Sequence, residues 1–251
     1  MTRTLLLRGM LAGLIAGLVM FALARWVGEP QVDRAIAFEI SMDQAKGEPP
    51  EPEMVSRKIQ KGVGLLTGAL VYGAALGGIF GLVFAYARGR LSQSRARVLS
   101  ALLAGMGFIA IVLVPSLKYP ANPPAVGNPE TIGTRTAAYF LLIATSIVVM
   151  SLALTIKRLC SRSLGSWNAT LLAAVLYVLV VSVCAHFLPV IDEVPPGFPA
   201  GLLWKFRIAS WETQAVLWAT LGLLFGWLTE RAEGVVEVRQ AAASVDELHY
   251  S

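Results

Sequence analysis

The sequence predicts an all-α membrane protein, a bundle of six transmembrane helices. The first observation is six apolar runs, at residues 5–27, 62–87, 98–117, 136–156, 168–188 and 208–228. Each supplies the roughly 20 apolar residues that a helix needs to cross hydrocarbon. The second is composition. Of 251 residues, 56% are hydrophobic and 15% charged, with a mean hydropathy of +0.65, against about 25% charged in soluble domains. The third is the placement of charge. The net +5 is scattered among loops, with no basic stripe or motif of a nucleic-acid binder.

The first run follows Arg3 and carries Arg8, and it contains Ala22-Leu23-Ala24, features of a cleaved leader. The run is longer than a usual leader core, however. It also carries Gly9, Gly13 and Gly17 at four-residue spacing, which suits close helix packing, so a retained span is expected. In the loop 28–61, Pro52 and Glu53 are placed to open a helix running into the second span. That span contains Gly64, Gly68, Gly73, Gly77 and Gly81. The loop 88–97, with Arg88, Arg90, Arg95 and Arg97 and no acid, leads to the third span. In the loop 118–135, Asn128-Pro129-Glu130 reads as N-cap, first helical residue and first-turn acid of a helix entering the fourth span. The loop 157–167 carries Lys157, Arg158 and Arg162 without an acid. The fourth and fifth spans contain no glycine. Phe198-Pro199 is expected to start a helix into the sixth span, which holds Gly222 and Gly226. The first, second and sixth spans are therefore expected to form the tight core, although glycine faces also suit contact with a partner or a second copy. Residues 1–229 form one membrane domain, and the mixed-charge stretch 230–251 is a short amphipathic or disordered tail.

Short basic loops remain cytoplasmic, so both termini are placed inside. The loops 28–61, 118–135 and 189–207, longer and proline-rich, fall outside. Arg57, Lys58 and Lys61 depart from this pattern and are partly offset by Glu48, Glu51 and Glu53. Trp26, Trp204 and Trp211 mark the outer boundary and Trp167 the inner one.

Each outer loop places carboxylates near basic residues: Asp33, Arg34 and Glu39; Lys118, Glu130 and Arg135; Asp192, Glu193, Lys205 and Arg207. Two readings stand. Either Arg34, Lys118, Glu130, Arg135 and Arg207 join ion pairs that hold the loops over the bundle, or the acids form a vestibule for a divalent cation. Asp192 and Glu193 are the leading cation candidates because two acids are adjacent. His186 lies one turn from the outer end of the fifth span; imidazole with carboxylate suits Co²⁺, Ni²⁺ or Zn²⁺, but a lone histidine at a membrane boundary is more often a hydrogen-bonded interfacial residue. Glu212 and Gln214 open the sixth span, where polar groups usually face a bundle interior or water. Cys160 and Cys184 stand near opposite ends of their spans and form no CxxC. The sequence has no HExxH, P-loop or serine-hydrolase motif, so no enzymatic activity is expected.

The stretches GEPQVDRAIAFE at 28–39, LKYPANPPAVGNPETIGTRTAAY at 117–139 and DEVPPGFPAGLLWKFRIAS at 192–210, with their flanking spans, resemble the CbtA family of cobalt transporter subunits. The resemblance implies a multi-pass bacterial inner-membrane subunit for cobalt(II) or another divalent metal. It also implies a small one-span CbtB partner with a histidine-bearing end and a link to cobalamin-related cobalt supply. Members often have a histidine-rich first outer loop. Here residues 40–54 read ISMDQAKGEPPEPEM, without histidine. Two alternatives remain: a small-molecule-binding subunit of the energy-coupling-factor type, or a non-transporting membrane scaffold. The CbiM-type cobalt version of the first needs a histidine after the initial Met, where Thr2 stands.

Overall fold

A computed structural model describes residues 2–47, 54–88 and 95–249, with side chains described up to residue 234. The helix start expected at Pro52 and Glu53, the acids Glu48 and Glu51, and Arg90 lie outside the described residues. The structure is 86% helix, and among the described residues there is no sheet. The helices are α1 (Thr2–Leu23), α2 (Glu29–Lys46), α3 (Arg57–Ile59), α4 (Leu65–Ala87), α5 (Ala96–Gly107), α6 (Val114–Lys118), α7 (Ile132–Phe187) and α8 (Ala200–His249).

Among the described residues, four helical stretches are long and apolar enough to cross a membrane: Thr2–Lys46, Arg57–Ala87, Ala96–Lys118 and Ile132–Phe187. The last contains both the fourth and the fifth predicted spans. Gly165, at φ 76° and ψ 161°, breaks its helical backbone, a conformation that glycine adopts without the Cβ penalty. The sixth predicted span lies within α8, whose polar residues Glu212 and Gln214 dilute its apolar character.

Three segments predicted as loop or tail are largely helical, among them residues 157–167, where Gly165 alone departs from helical backbone. Residues 29–46 continue the first helix instead of forming a loop. A π-turn over Ala24–Gly28 precedes Pro30, and another over Phe108–Leu113 precedes Pro115. Proline cannot donate to the carbonyl four residues back and clashes with it. Widening the preceding turn accommodates that defect without ending the helix. The tail likewise continues α8 to His249.

The chain forms two compact units. One comprises Met1–Arg25, Glu53–Gly105 and Thr213–Ser251; the other comprises Trp26–Pro52 and Met106–Glu212.

In the first unit α1 and α4 run antiparallel with their backbones touching. Gly9 faces Gly77, Gly13 faces Gly73, Gly17 faces Ala69, and Gly81 faces Leu5. A Cβ on Gly77 would stand 2.1 Å from the Gly9 carbonyl oxygen, and one on Gly13 2.0 Å from that of Gly73. Gly64 and Gly68 do not share this role. Nothing lies within 4 Å of a Cβ at Gly68, and Gly64 would meet only its own helix at Ile59. Gly78, not singled out from sequence, packs on Met10 instead.

The sixth predicted span packs on the third. A Cβ on Gly222 would meet Ala104, and one on Gly226 would meet Arg97 and Ser100. The buried Ser100 hydroxyl donates to the Gly222 carbonyl at 2.6 Å. Phe225 sits edge-on to Phe80 and Phe84, with centroids 5.3 and 5.0 Å apart. Beyond them Arg88 donates to both carboxylate oxygens of Glu233, at 2.7 Å from Nη2 to Oε2 and closer still from Nη1. Arg97 Nε lies 3.2 Å from Glu230 Oε2.

In the second unit the two arms of α7 fold onto each other. Val149 and Ala153 of one arm pack with Ala173, Tyr177 and Val181 of the other. Ser146 and Tyr177 share a buried hydrogen bond of 2.8 Å between their hydroxyls.

Candidate functional site

The site is built in the second unit from the three segments of unusual sequence. Two of them contain the same turn. In Pro123-Pro124-Ala125-Val126 and Pro195-Pro196-Gly197-Phe198, the fourth residue's N–H donates to the first residue's carbonyl, at 3.1 and 3.2 Å. The third residue has positive φ, 65° at Ala125 and 85° at Gly197. Proline at the second position and positive φ at the third characterise a type II turn. Each turn delivers its fourth residue to one apolar cluster. Val126 and Phe198 are buried there with Ala35 of α2, and Phe38, Leu202 and Leu203 pack around them. Phe38 and Phe198 meet edge to face at 5.0 Å.

Beside this cluster lies a polar centre on Glu193, whose side chain is 3% exposed. Its carboxylate accepts hydrogen bonds from the Thr131 hydroxyl, the Arg135 guanidinium and the Asn122 amide, the last at 3.1 Å. Asn122 in turn accepts from Arg207 Nη2 at 3.4 Å. The Thr131 hydroxyl is the strongest influence holding the Glu193 carboxyl below its ordinary pKa. The Arg135 charge and hydrogen bond and a backbone N–H of Asn128 add to it, while burial opposes them. Burial lowers the Arg207 pKa, and the nearby Asp192 charge resists that shift.

Local sequence explains the donors. The Asn128 side chain accepts from the Glu130 N–H at 2.9 Å, a turn-forming use of asparagine. The helix itself begins at Ile132, with Thr131 at the N-cap position. The start is thus later than expected. Thr131 makes no side-chain cap hydrogen bond, and its hydroxyl reaches Glu193 instead. Nearby, Tyr119 donates to the Pro189 carbonyl at 2.8 Å, and Trp211 Nε1 to Ser116 Oγ at 2.8 Å. Trp211 therefore faces a protein neighbour, whereas Trp26, Trp167 and Trp204 are 79%, 74% and 60% exposed.

Of the residues singled out from sequence, Glu193, Arg135 and Arg207 come together around Asn122. Asp192 stays exposed, and its carboxylate accepts from the Val194 N–H at 3.3 Å. His186 is exposed beside Phe187. Arg34 donates to Gln31 at 3.5 Å, and Lys118 lies 6.0 Å from the Tyr119 ring centre. Glu130 is exposed, while Asp33 and Glu39 are half-buried on α2. Among the described residues, no three His, Cys, Asp or Glu side chains gather as a metal site. Asn122 and Thr131 were not singled out. Their only signal was position, one inside a proline-rich turn and one directly after Asn-Pro-Glu.

In the first unit Gln214 Oε1, Trp218 Nε1 and Thr229 Oγ1 are buried and lack hydrogen-bond partners among the described residues. Gln214 and Trp218 lie inside the sixth predicted span, and Thr229 directly follows it.

No curated protein and no solved structure matches the chain. The family described as "Probable cobalt transporter subunit (CbtA)" matches residues 2–230, which take in the Glu193 centre and every predicted span. The protein is a membrane-embedded member of the CbtA family of probable cobalt transporter subunits.

Proposed function

We propose that the chain is the multi-pass subunit of a bacterial inner-membrane transporter for cobalt(II) or a similar divalent cation. In this reading it crosses the bilayer six times, with both termini inside, and works with a small one-span CbtB-like partner. The observation that carries the reading is the family match over residues 2–230.

The geometry favours a division of labour. Glu193 is engaged by donors on every side, so it braces the outer segments and is a poor ligand for a passing cation. Asp192 is exposed, which suits transient capture of a hydrated cation. Within α8, Gln214 Oε1 and Thr229 Oγ1 are buried oxygens without hydrogen-bond partners among the described residues. They are about four helical turns apart, and unpartnered polar atoms at membrane depth usually meet water or a transported solute. Histidine ligands, absent from residues 40–54, would come from the partner.

Radiocobalt accumulation in cells making this chain with the one-span partner tests the proposal. Uptake should require the chain and should fall in Asp192→Asn and Gln214→Leu at equal membrane abundance. Uptake that persists without the chain would refute the transport reading and favour a scaffold or a small-molecule binder.

A further inference from the structure

We propose that the arginine-lined cavity on α7 binds the phosphate of an anionic phospholipid. The cavity, about 660 Å³, is lined by Thr155, Arg158, Leu159, Ser161 and Arg162. Arg158 and Arg162 are four residues apart and so share one helix face. Among the described residues, acids pair with Arg88, Arg97 and Arg135 but not with these two arginines. The hydroxyl protons in the cavity are already engaged by the helix. Thr155 Oγ1 donates to the Ser151 carbonyl at 2.9 Å, and Ser161 Oγ to the Lys157 carbonyl at 2.5 Å. What the cavity still offers is two guanidinium groups, positive and rich in N–H donors. Their planar fork suits an acceptor-rich oxyanion such as phosphate.

The surface leading to the cavity identifies the source of the phosphate. Leu141, Val148, Leu152 and Leu159 are 56%, 57%, 57% and 73% exposed. With Thr155 and Arg162 they follow helical spacing along one face. An apolar strip therefore runs down the arm and ends at the arginines, as an acyl chain runs down to its headgroup. Trp167, just beyond, is exposed in the manner of an interfacial side chain. A soluble phosphate would use the arginines but have no use for the strip. Basic pockets at a membrane boundary bind anionic headgroups in this way. The inference rests on α7 lying in a bilayer and not on the identity of the transported ion.

Native mass spectrometry of the full-length protein in detergent tests it, with phosphatidylglycerol, phosphatidylcholine of the same chains, or inorganic phosphate as probe. Phosphatidylglycerol should be retained over phosphatidylcholine. The double variant Arg158→Gln/Arg162→Gln should weaken phosphatidylglycerol retention about tenfold and leave phosphatidylcholine unchanged. Thr155→Asp keeps both arginines but sets a carboxylate in the cavity, and it should act in the same direction. Equal retention of the two lipids, or indifference to both variants, overturns the proposal. Inorganic phosphate binding as tightly as phosphatidylglycerol overturns the lipid assignment and leaves a site for a soluble anion. A negative cobalt-uptake result leaves this readout untouched.

Discussion

Replacing Arg135 with Met removes the positive partner of a carboxylate that is 97% buried from solvent. Glu193 would keep its bonds from Thr131 and Asn122 but lose its compensating charge. Breaking a buried ion pair at one partner costs about 3–5 kcal/mol. Arg135 is 29% exposed, so water would take over part of its role, and about 2–3 kcal/mol is expected. Glu193→Gln should cost less, about 1–2 kcal/mol, because the amide retains one acceptor oxygen and leaves no buried charge. The double variant should be less destabilised than the sum of the two, because the second change removes the charge that the first left stranded. The assay is reversible unfolding in mixed micelles, followed by tryptophan fluorescence, with all four proteins in one cycle. Additive single and double variants, or a loss below about 0.5 kcal/mol for Arg135→Met, would refute the claim that this pair braces the proline-rich segments.

Acid should loosen the same centre. The folded-state pKa of Glu193 lies below its ordinary value, so the stabilisation is fully present above the ordinary carboxylate range. It is lost as pH falls through the lowered folded value. Glu193→Gln should flatten that part of the pH–stability profile, and an unchanged profile would contradict it. Gly77→Ala should cost about 1–3 kcal/mol or more, since its Cβ would sit 2.1 Å from a backbone oxygen. Gly68→Ala, with open space at the Cβ, should be neutral or stabilising by up to about 1 kcal/mol through helix propensity. The same unfolding assay distinguishes the two. Gly197→Ala should lose about 1 kcal/mol, because alanine resists the positive φ that the turn requires. Ala125→Gly, at φ 65°, relieves the same strain and should be near neutral or slightly stabilising, so thermal midpoints should move in opposite directions.

Apolar length revealed the four helical stretches long enough to cross a membrane, because hydrocarbon imposes one dominant requirement, a long apolar helix. It did not reveal where those helices stop. Residues 29–46 are polar enough to end a hydropathy run, yet helix formation depends on backbone hydrogen bonding and not on greasiness. Pro30 reads as a breaker until the π-turn before it is seen. The glycine pattern located the α1–α4 seam, but spacing alone could not separate Gly73 from Gly68, since which face meets a neighbour is decided by the neighbour. The proline-rich loops were legible as places where acids meet bases. The choice of Arg135 as partner for Glu193 was not, because 58 residues separate them and two proline turns set their approach. Asn122 and Thr131 carry no charge, so nothing in composition draws attention to them.

The backbone contact between α1 and α4 has a consequence for how this protein can change over generations. Most helix interfaces tolerate drift by exchange: a residue grows on one side while its neighbour shrinks on the other. At Gly13 and Gly73, or Gly9 and Gly77, no such exchange exists, because neither partner has a side chain to give up. A larger residue on one helix can be accommodated only by moving the two helices apart along their whole length. The seam is thus a shared commitment of eight positions, open to replacement as a set and closed to change one residue at a time.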